Sequence, residues 1–316
     1  MTFFIGTDEA GYGPNLGPLL ITATAWRFPQ GTTSPLCWQL LSRAVGTAAP
    51  EQPEQLQVAD SKKIYSSGGS MVPLEKSVLA FLNLLNQMPH DFDSLGTAVA
   101  GAEFQRALDR QRCRPSVREG VPVQTDAGLI ERSSLQLRQT LREADAEMVT
   151  VRSRIIFPDE FNDLVAAAGS KGRVLSVETL QLVSEIVREE RPNTAQIICD
   201  KHGGRNRYAE LISAAFDDEF VFGLEEGREL SRYRLNNLEF RFQTKAEEHL
   251  PVAVASMISK YVREVAMLEF NAFWRQMIPE LKPTQGYPVD AARFVKEIEQ
   301  ELDRQNIPRN TVWRFR

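Results

Sequence analysis

Two adjacent acids, Asp8 and Glu9, follow a short apolar run at residues 3–6, and a third, Asp200, closes the apolar run AQIICD. In open α/β sheets, sites gather outside the carboxyl ends of the strands, so acids at two strand ends can face one cleft. Carboxylates brought together without a cation repel, and one of them must keep its proton. A pair of divalent metal ions removes that conflict, and Mg²⁺ suits such a site because it prefers oxygen ligands and retains waters. Neighbours on a regular strand point to opposite faces. Asp8 and Glu9 are therefore expected to share a centre only where the pleat gives way, at residues 10–13. Taken singly, each acid is equally compatible with an ordinary turn or cap, a common place for aspartate.

Three further stretches bear on this chemistry. QVADSKKIYSS sets Ser61, Lys62 and Lys63 beside Asp60; it reads as a solvated turn or, at the rim of an acidic metal site, as a phosphate contact. In PVAVASMISKYVRE, residues Ala253, Ser256, Lys260 and Glu264 share one helical face, with Glu264 at its far end. GTDEAGYGPNLG lacks the Lys-Ser/Thr ending of a nucleoside triphosphate loop and the G-x-G-x-x-G order that opens a helix. Pro14 and Pro18 also oppose an immediate helix, so a nucleotide cofactor is excluded there.

The elements that must position these residues follow from periodicity. Strands are expected at residues 3–6, 19–26, 148–157 and 195–200, with strand-like segments at 220–224 and 238–243. Helices are expected at residues 36–45, 73–87, 102–110, 133–146, 158–169, 176–190, 209–216 and 252–270, followed by a C-terminal helix and tail. The alternation after residue 148 implies an α/β sheet with helices on its faces.

Hydrophobic residues make up 42% of the 316-residue chain and charged residues 25%, the balance of a soluble globular protein. The net charge is −5, so attraction to nucleic acid has to come from a local basic face. Cys37, Cys113 and Cys199 lack metal-type spacing, and their odd number points to a reducing compartment. The acids interrupt any secretion-type leader and no run reaches membrane-spanning length. A cytoplasmic monomer that does not engage membranes is expected.

The opening stretch GTDEAGYGPNLGP resembles the first motif of the type 2 ribonucleases H, Gly-x-Asp-Glu-Ala-Gly-Arg-Gly-Pro-x-x-Gly-Pro. VADSKKI, FPDEFN, AQIICD, KAEEHLPVAVASMISKYVRE, GYPVDAARF and IPRNTVWRFR are similar, in order, to later segments of that family. The resemblance implies an α/β fold of the ribonuclease H-like kind, a mixed sheet flanked by helices, at residues 1–88 and 148–270. It leaves residues 89–147 as a helical insertion and residues 271–316 as a C-terminal helical extension. It further implies a two-ion Mg²⁺ or Mn²⁺ site at Asp8, Glu9, Asp200 and Glu264, which serve as the catalytic residues. Such enzymes hydrolyse the RNA strand of RNA–DNA hybrids or of duplexes containing ribonucleotides. Gly11, Tyr12, Gly13, Ser61, Lys62, Lys245 and Tyr287 would contact substrate, the glycine turn reading the ribose 2′-OH.

Tyr12 stands where the family has arginine, and Glu264 where it has aspartate, which extends the reach of that carboxylate by ~1.5 Å. Arg106, Arg110, Arg112, Arg114 and Arg118 offer basic surface in the insertion, or a solvated decoration. Two other readings follow from the residues: a non-catalytic hybrid- or junction-binding protein, and a carboxylate-pair hydrolase acting on sugars.

Overall fold

The structure is a computed structural model that describes residues 1–65, 69–116 and 118–315. The closing serines of QVADSKKIYSS lie outside the described residues. Along the chain run β1 (Thr2–Ala10), β2 (Leu19–Phe28), α1 (Ser34–Leu41), the short strands β3 (Val45–Gly46) and β4 (Leu56–Gln57), α2 (Ser61–Ile64) and α3 (Val72–Leu84). Next come α4 (Phe92–Arg110), α5 (Ala127–Glu143), β5 (Glu147–Ile156), α6 (Pro158–Ala168), α7 (Lys171–Glu190), β6 (Ala195–Asp200) and α8 (Ala209–Ala215). The chain continues with β7 (Phe222–Glu226), β8 (Leu230–Leu235), β9 (Leu238–Gln243), a 3₁₀ turn (Ala246–Glu248), α9 (Leu250–Met277) and α10 (Pro288–Arg304).

The fold is α/β, with a seven-stranded mixed sheet of order β5-β2-β1-β6-β9-β8-β7 and helices on both faces. β1 is antiparallel to β2 and parallel to β6, and β6 is parallel to β9. Three adjacent strands thus deliver their carboxyl ends to one edge. With both faces covered, the central strands are almost continuously apolar. Phe4, Leu20, Trp26 and Phe28 join a core with α3 and α9, while Phe3, Ile5, Ile21 and Ala23 join one with α7 and α8. The threonines of β2 are buried and bonded: Thr24 Oγ1 donates to the Pro251 carbonyl at 2.8 Å, and Ser259 Oγ lies 2.7 Å from Thr22 Oγ1.

α9 lies directly on β1. A Cβ on Gly6 would come within 2.3 Å of the Pro251 carbonyl carbon and of the Val252 nitrogen. These are backbone atoms, so no rotamer change relieves the collision. Gly6→Ala is expected to destabilise the protein by about 1–3 kcal/mol or more, measured as a fall in the urea midpoint. A variant as stable as wild type would mean that α9 does not sit this close.

Residues 89–147 carry the helices α4 and α5 joined by an irregular stretch, and apolar side chains of both helices, among them Phe92, Leu95, Phe104, Ile130 and Leu137, enter the same core as Trp26 and Leu250. α4 extends ten residues further N-terminally than periodicity predicts, because Asp91 and Ser94 form a capping box at its start. Its break falls at Gly101, φ 56°. The carboxylate of Glu75 is buried and accepts the Val123, Gln124 and Thr125 amides at 2.6–2.8 Å and the Tyr261 hydroxyl at 2.7 Å. Of the arginines expected to offer basic surface, Arg106 pairs with Glu103, Arg114 with Asp93, and Arg118 with Asp93 and Glu269. The charge of these three is met internally, while Arg110 and Arg112 form no ion pair among the described residues.

β8 is absent from the elements expected above. Its Arg232 and Arg234 read as loop, yet Ser231, Tyr233 and Leu235 alternate with them onto the buried face. Among the described residues no helix is long and apolar enough to cross a membrane.

Candidate functional site

β1 is longer than the apolar run suggested. Antiparallel pairing with β2 continues through Asp8↔Thr22 and Glu9↔Ile21 to Ala10↔Leu20, whereas pairing with β6 stops at Thr7↔Cys199. Both acids therefore sit on regular strand, and the cleft opens because β6 leaves β1, not because the pleat ends. By alternation Asp8 faces α9 and Glu9 faces the α7 side. Asp200 ends β6 beside them, and its Oδ1 accepts the Ala246 amide at 3.4 Å.

Burial holds all three protons on beyond the usual carboxylate range, and mutual repulsion adds to it. Asp8 is raised well above its ordinary value by burial, then by Glu9, Asp200 and Glu247, with a Ser256 hydroxyl opposing. Glu9 is pushed up to about 7, chiefly by burial and by Asp200, and Lys62 opposes the rise. Asp200 is pushed up to about 6 by burial and Glu247. Every pair among Asp8, Glu9, Asp200 and Glu247 repels. No ion pair forms at any of these four among the described residues.

Glu247 is the residue that sequence reasoning missed. It lies four residues beyond the end of β9, in the turn that Lys245 opens from a left-handed conformation, φ 60°. Glu264, assigned to the metal site from sequence, lies elsewhere. α9 continues to Met277, so Glu264 is inside the helix, two turns or ~12 Å along the axis from Ser256. It is 3% exposed, and Lys260 Nζ holds its Oε1 at 2.6 Å. The apolar stretch beyond residue 270, with Trp274 packed against Phe294 and Ile298, is what extends the helix.

The two glycines after the acids differ. Gly11 has φ +86°, and a Cβ there would meet the Pro18 carbonyl at 2.5 Å and Arg263 Nε at 2.7 Å. Gly13 has nothing within 4 Å of such a Cβ and is exposed. The turn thus needs Gly11 to fold and leaves open space at Gly13. Underneath it lies Arg314, which sequence reasoning did not single out. Its Nη2 donates to the Gly11 carbonyl at 2.6 Å and to the Pro14 carbonyl, and its guanidinium covers the Phe161 ring at 4.9 Å. Arg314 N donates to the Asn15 carbonyl at 2.8 Å, and Asn15 Nδ2 donates back to the Arg314 carbonyl at 3.1 Å. Burial and the neighbouring Arg263 lower the Arg314 guanidinium to about 9.

Of the other residues expected to meet substrate, Ser61 is buried against Ser256, Oγ to Oγ 3.1 Å, while Lys62 and Lys245 are exposed. Asp60 caps α2 by accepting the Lys62 amide at 3.0 Å. Tyr287 is 55% exposed at the start of α10 and acts on the charge of Arg263. Tyr12 is half-buried under Lys171.

No family model matches the chain, and no curated protein matches it. Among solved structures it is similar to the RNase HII of Archaeoglobus fulgidus in its complex with PCNA, at 15% identity and a TM-score of 0.40, covering 99% of this chain and 94% of that one. It is also similar to the ribonuclease H2 of Pyrococcus horikoshii, at 15% identity and 0.41, covering 98% and 92%. A third is Bst-RNase HIII in complex with Mn²⁺, at 14% identity and 0.42, covering 99% and 66%. What the site can do is set by its own residues.

The donors fit a hard divalent cation in kind: four carboxylates, all oxygen, Asp8 buried and the other three part-buried, each repelling the others. Among the described residues no three His, Cys, Asp or Glu side chains are drawn together tightly enough to hold an ion. The strands bring the carboxylates into one neighbourhood, and the side chains have still to converge.

Proposed function

We propose that the chain is a divalent-metal-dependent endonuclease that hydrolyses the RNA strand of RNA–DNA hybrids or of duplexes containing ribonucleotides. The observation that carries this reading is the mutually repelling group Asp8, Glu9, Asp200 and Glu247, at and just beyond the ends of three adjacent strands. Mg²⁺ or Mn²⁺ would be held by these four. Ions bound there supply activation of a water and stabilisation of the leaving 3′ oxygen. Lys62, close enough to act on both Glu9 and Asp200, holds the backbone phosphate next to them. Exposed Lys245 adds positive charge on the Glu247 side. The open backbone at Gly13 lets a ribose approach, where a 2′-OH can be read. Ser256 and Ser61 support Asp8 from the α9 side.

The protein incubated with Mn²⁺ or Mg²⁺ and a hybrid labelled on its RNA strand is expected to release products with 5′-phosphate ends. Chelator or Asp200→Asn should abolish the products. Absence of cleavage on hybrid and on ribonucleotide-containing duplex, with either metal, removes the catalytic reading. The second reading, a hybrid-binding protein without turnover, is favoured by the carboxylates not being drawn together. Salt-sensitive binding without products supports it.

A further inference from the structure

The carboxylate group faces a polyanion, and the molecule as a whole is negative, with 37 Lys+Arg against 42 Asp+Glu. Binding therefore needs cations placed around the acids. On the α9 side these are Lys62 and Lys63, on the short α2 that packs near α9. The opposite side of the sheet has its own group. Lys171, the first residue of α7, sets its Nζ 4.6 Å from the centre of the Tyr12 ring. The Tyr12 hydroxyl reaches between Gly172 and Gly203, where added Cβ atoms would stand 3.4 and 3.0 Å away. Gly203, at φ +57°, is the tighter of the two and is what admits it.

Arg205 lies in the loop that leaves β6 beyond Asp200 and donates its amide to the His202 carbonyl at 3.1 Å. Its Nε is buried and has no hydrogen-bond partner. Arg205 and Glu9 act on the same Tyr12 hydroxyl, from opposite signs. Neither Lys171 nor Arg205 forms an ion pair among the described residues, although arginines farther along α7 and on β5 do, Arg188 with Asp217 and Arg154 with Glu178. Lys171 over the Tyr12 ring and Arg205 acting on its hydroxyl, neither ion-paired among the described residues and Arg205 Nε without a hydrogen-bond partner, lie beside Glu9 and together suit an anion.

We propose that Lys171 and Arg205, spaced by Tyr12, bind a backbone phosphate of the nucleic acid on the α7 side of the carboxylates. A strand crossing the acids then meets cations on both faces of the sheet: Lys62 on one side, Lys171 and Arg205 on the other. This rests on the function proposed above and adds the second phosphate contact.

The test compares wild type with Lys171→Ala, Arg205→Ala, the double variant, Lys171→Arg and, as control at the far end of α7, Arg188→Ala. Steady-state cleavage of an RNA–DNA hybrid is followed across a KCl series, with binding of the same hybrid measured by fluorescence anisotropy. Each alanine should raise KM several-fold with little change in kcat, and should flatten the slope of log(kcat/KM) against log[KCl] by about one. Lys171→Arg and Arg188→Ala should keep the wild-type slope. A cutting wild type whose alanine variants keep KM and slope overturns this contact alone. So does a fall in kcat with unchanged slope, which marks a merely structural role beside Glu9. If wild type binds hybrid without cutting it, the binding slopes decide by the same criterion. If it neither binds nor cuts, the contact and the proposed function fall together.

Discussion

Asp8→Asn is expected to lower hybrid cleavage by about 10³-fold or more while raising the melting temperature of the metal-free protein at neutral pH. Both effects have one cause. Asp8 is buried among three other carboxylates, and its charged form is disfavoured first by burial and then by Glu9. An amide of the same shape removes one member of the repulsion without opening a cavity.

The sign in pH follows from the direction of the shifts. Asp8, Glu9 (about 7) and Asp200 (about 6) are all raised above their unfolded values. The folded state thus holds protons that the unfolded chain releases. The stability they contribute is fully present below the unfolded carboxylate range and is lost as pH rises through the folded values. In chelator, wild type should melt progressively lower between about pH 5 and about pH 7.5, and Asp8→Asn should flatten that fall. Added Mg²⁺ or Mn²⁺ should raise the wild-type midpoint more than that of the variant, since a ligand of the folded state stabilises by mass action. A variant that melts below wild type in chelator at neutral pH would contradict the repulsion.

Glu247→Gln and Glu264→Gln are expected to separate activity from stability. Glu247 repels Asp8, Glu9 and Asp200, and its neutral variant should lose about 10²–10³-fold in kcat with an unchanged or higher melting temperature. Glu264 is buried with its charge answered by Lys260 at 2.6 Å and by Arg263 at 3.8 Å. Its neutral variant should cost about 1.5–3 kcal/mol of stability and leave kcat within the same order. Paired kcat and urea-midpoint measurements decide the matter. Loss of turnover in Glu264→Gln at full stability would return that residue to the reaction.

Glu247 was legible by the rule that singled out Asp8 and Asp200. Both of those acids stand where apolar strands end, and LEFRFQ is such a strand. Applied there, the rule leads to the first acid beyond it, in KAEEH. The helical face Ala253–Ser256–Lys260–Glu264 offers a rival acid, because a 3.6 periodicity says which residues share a face but not where the helix stops. Asp8, Glu9 and Asp200 were legible because apolar runs ending in acids are local signals. The β6 departure that opens the cleft was not legible, since strand pairing is made with residues nearly two hundred positions away. Arg314 stands in IPRNTVWRFR, similar to a family segment, but nothing in that stretch marks its role. An arginine near an Arg-rich tail reads as solvated, and only the tertiary fold lays it under the glycine turn.

That placement bears on when the site comes into being. The turn carrying Gly11 and Gly13 is separated along the chain by 303 residues from Arg314, measured at Gly11, yet Arg314 completes its underside through Gly11, Pro14 and Asn15. A growing chain that has not reached residue 314 holds the acids but not the finished loop beside them. The loop beside the acids is therefore completed only when segments far apart in the chain have come together.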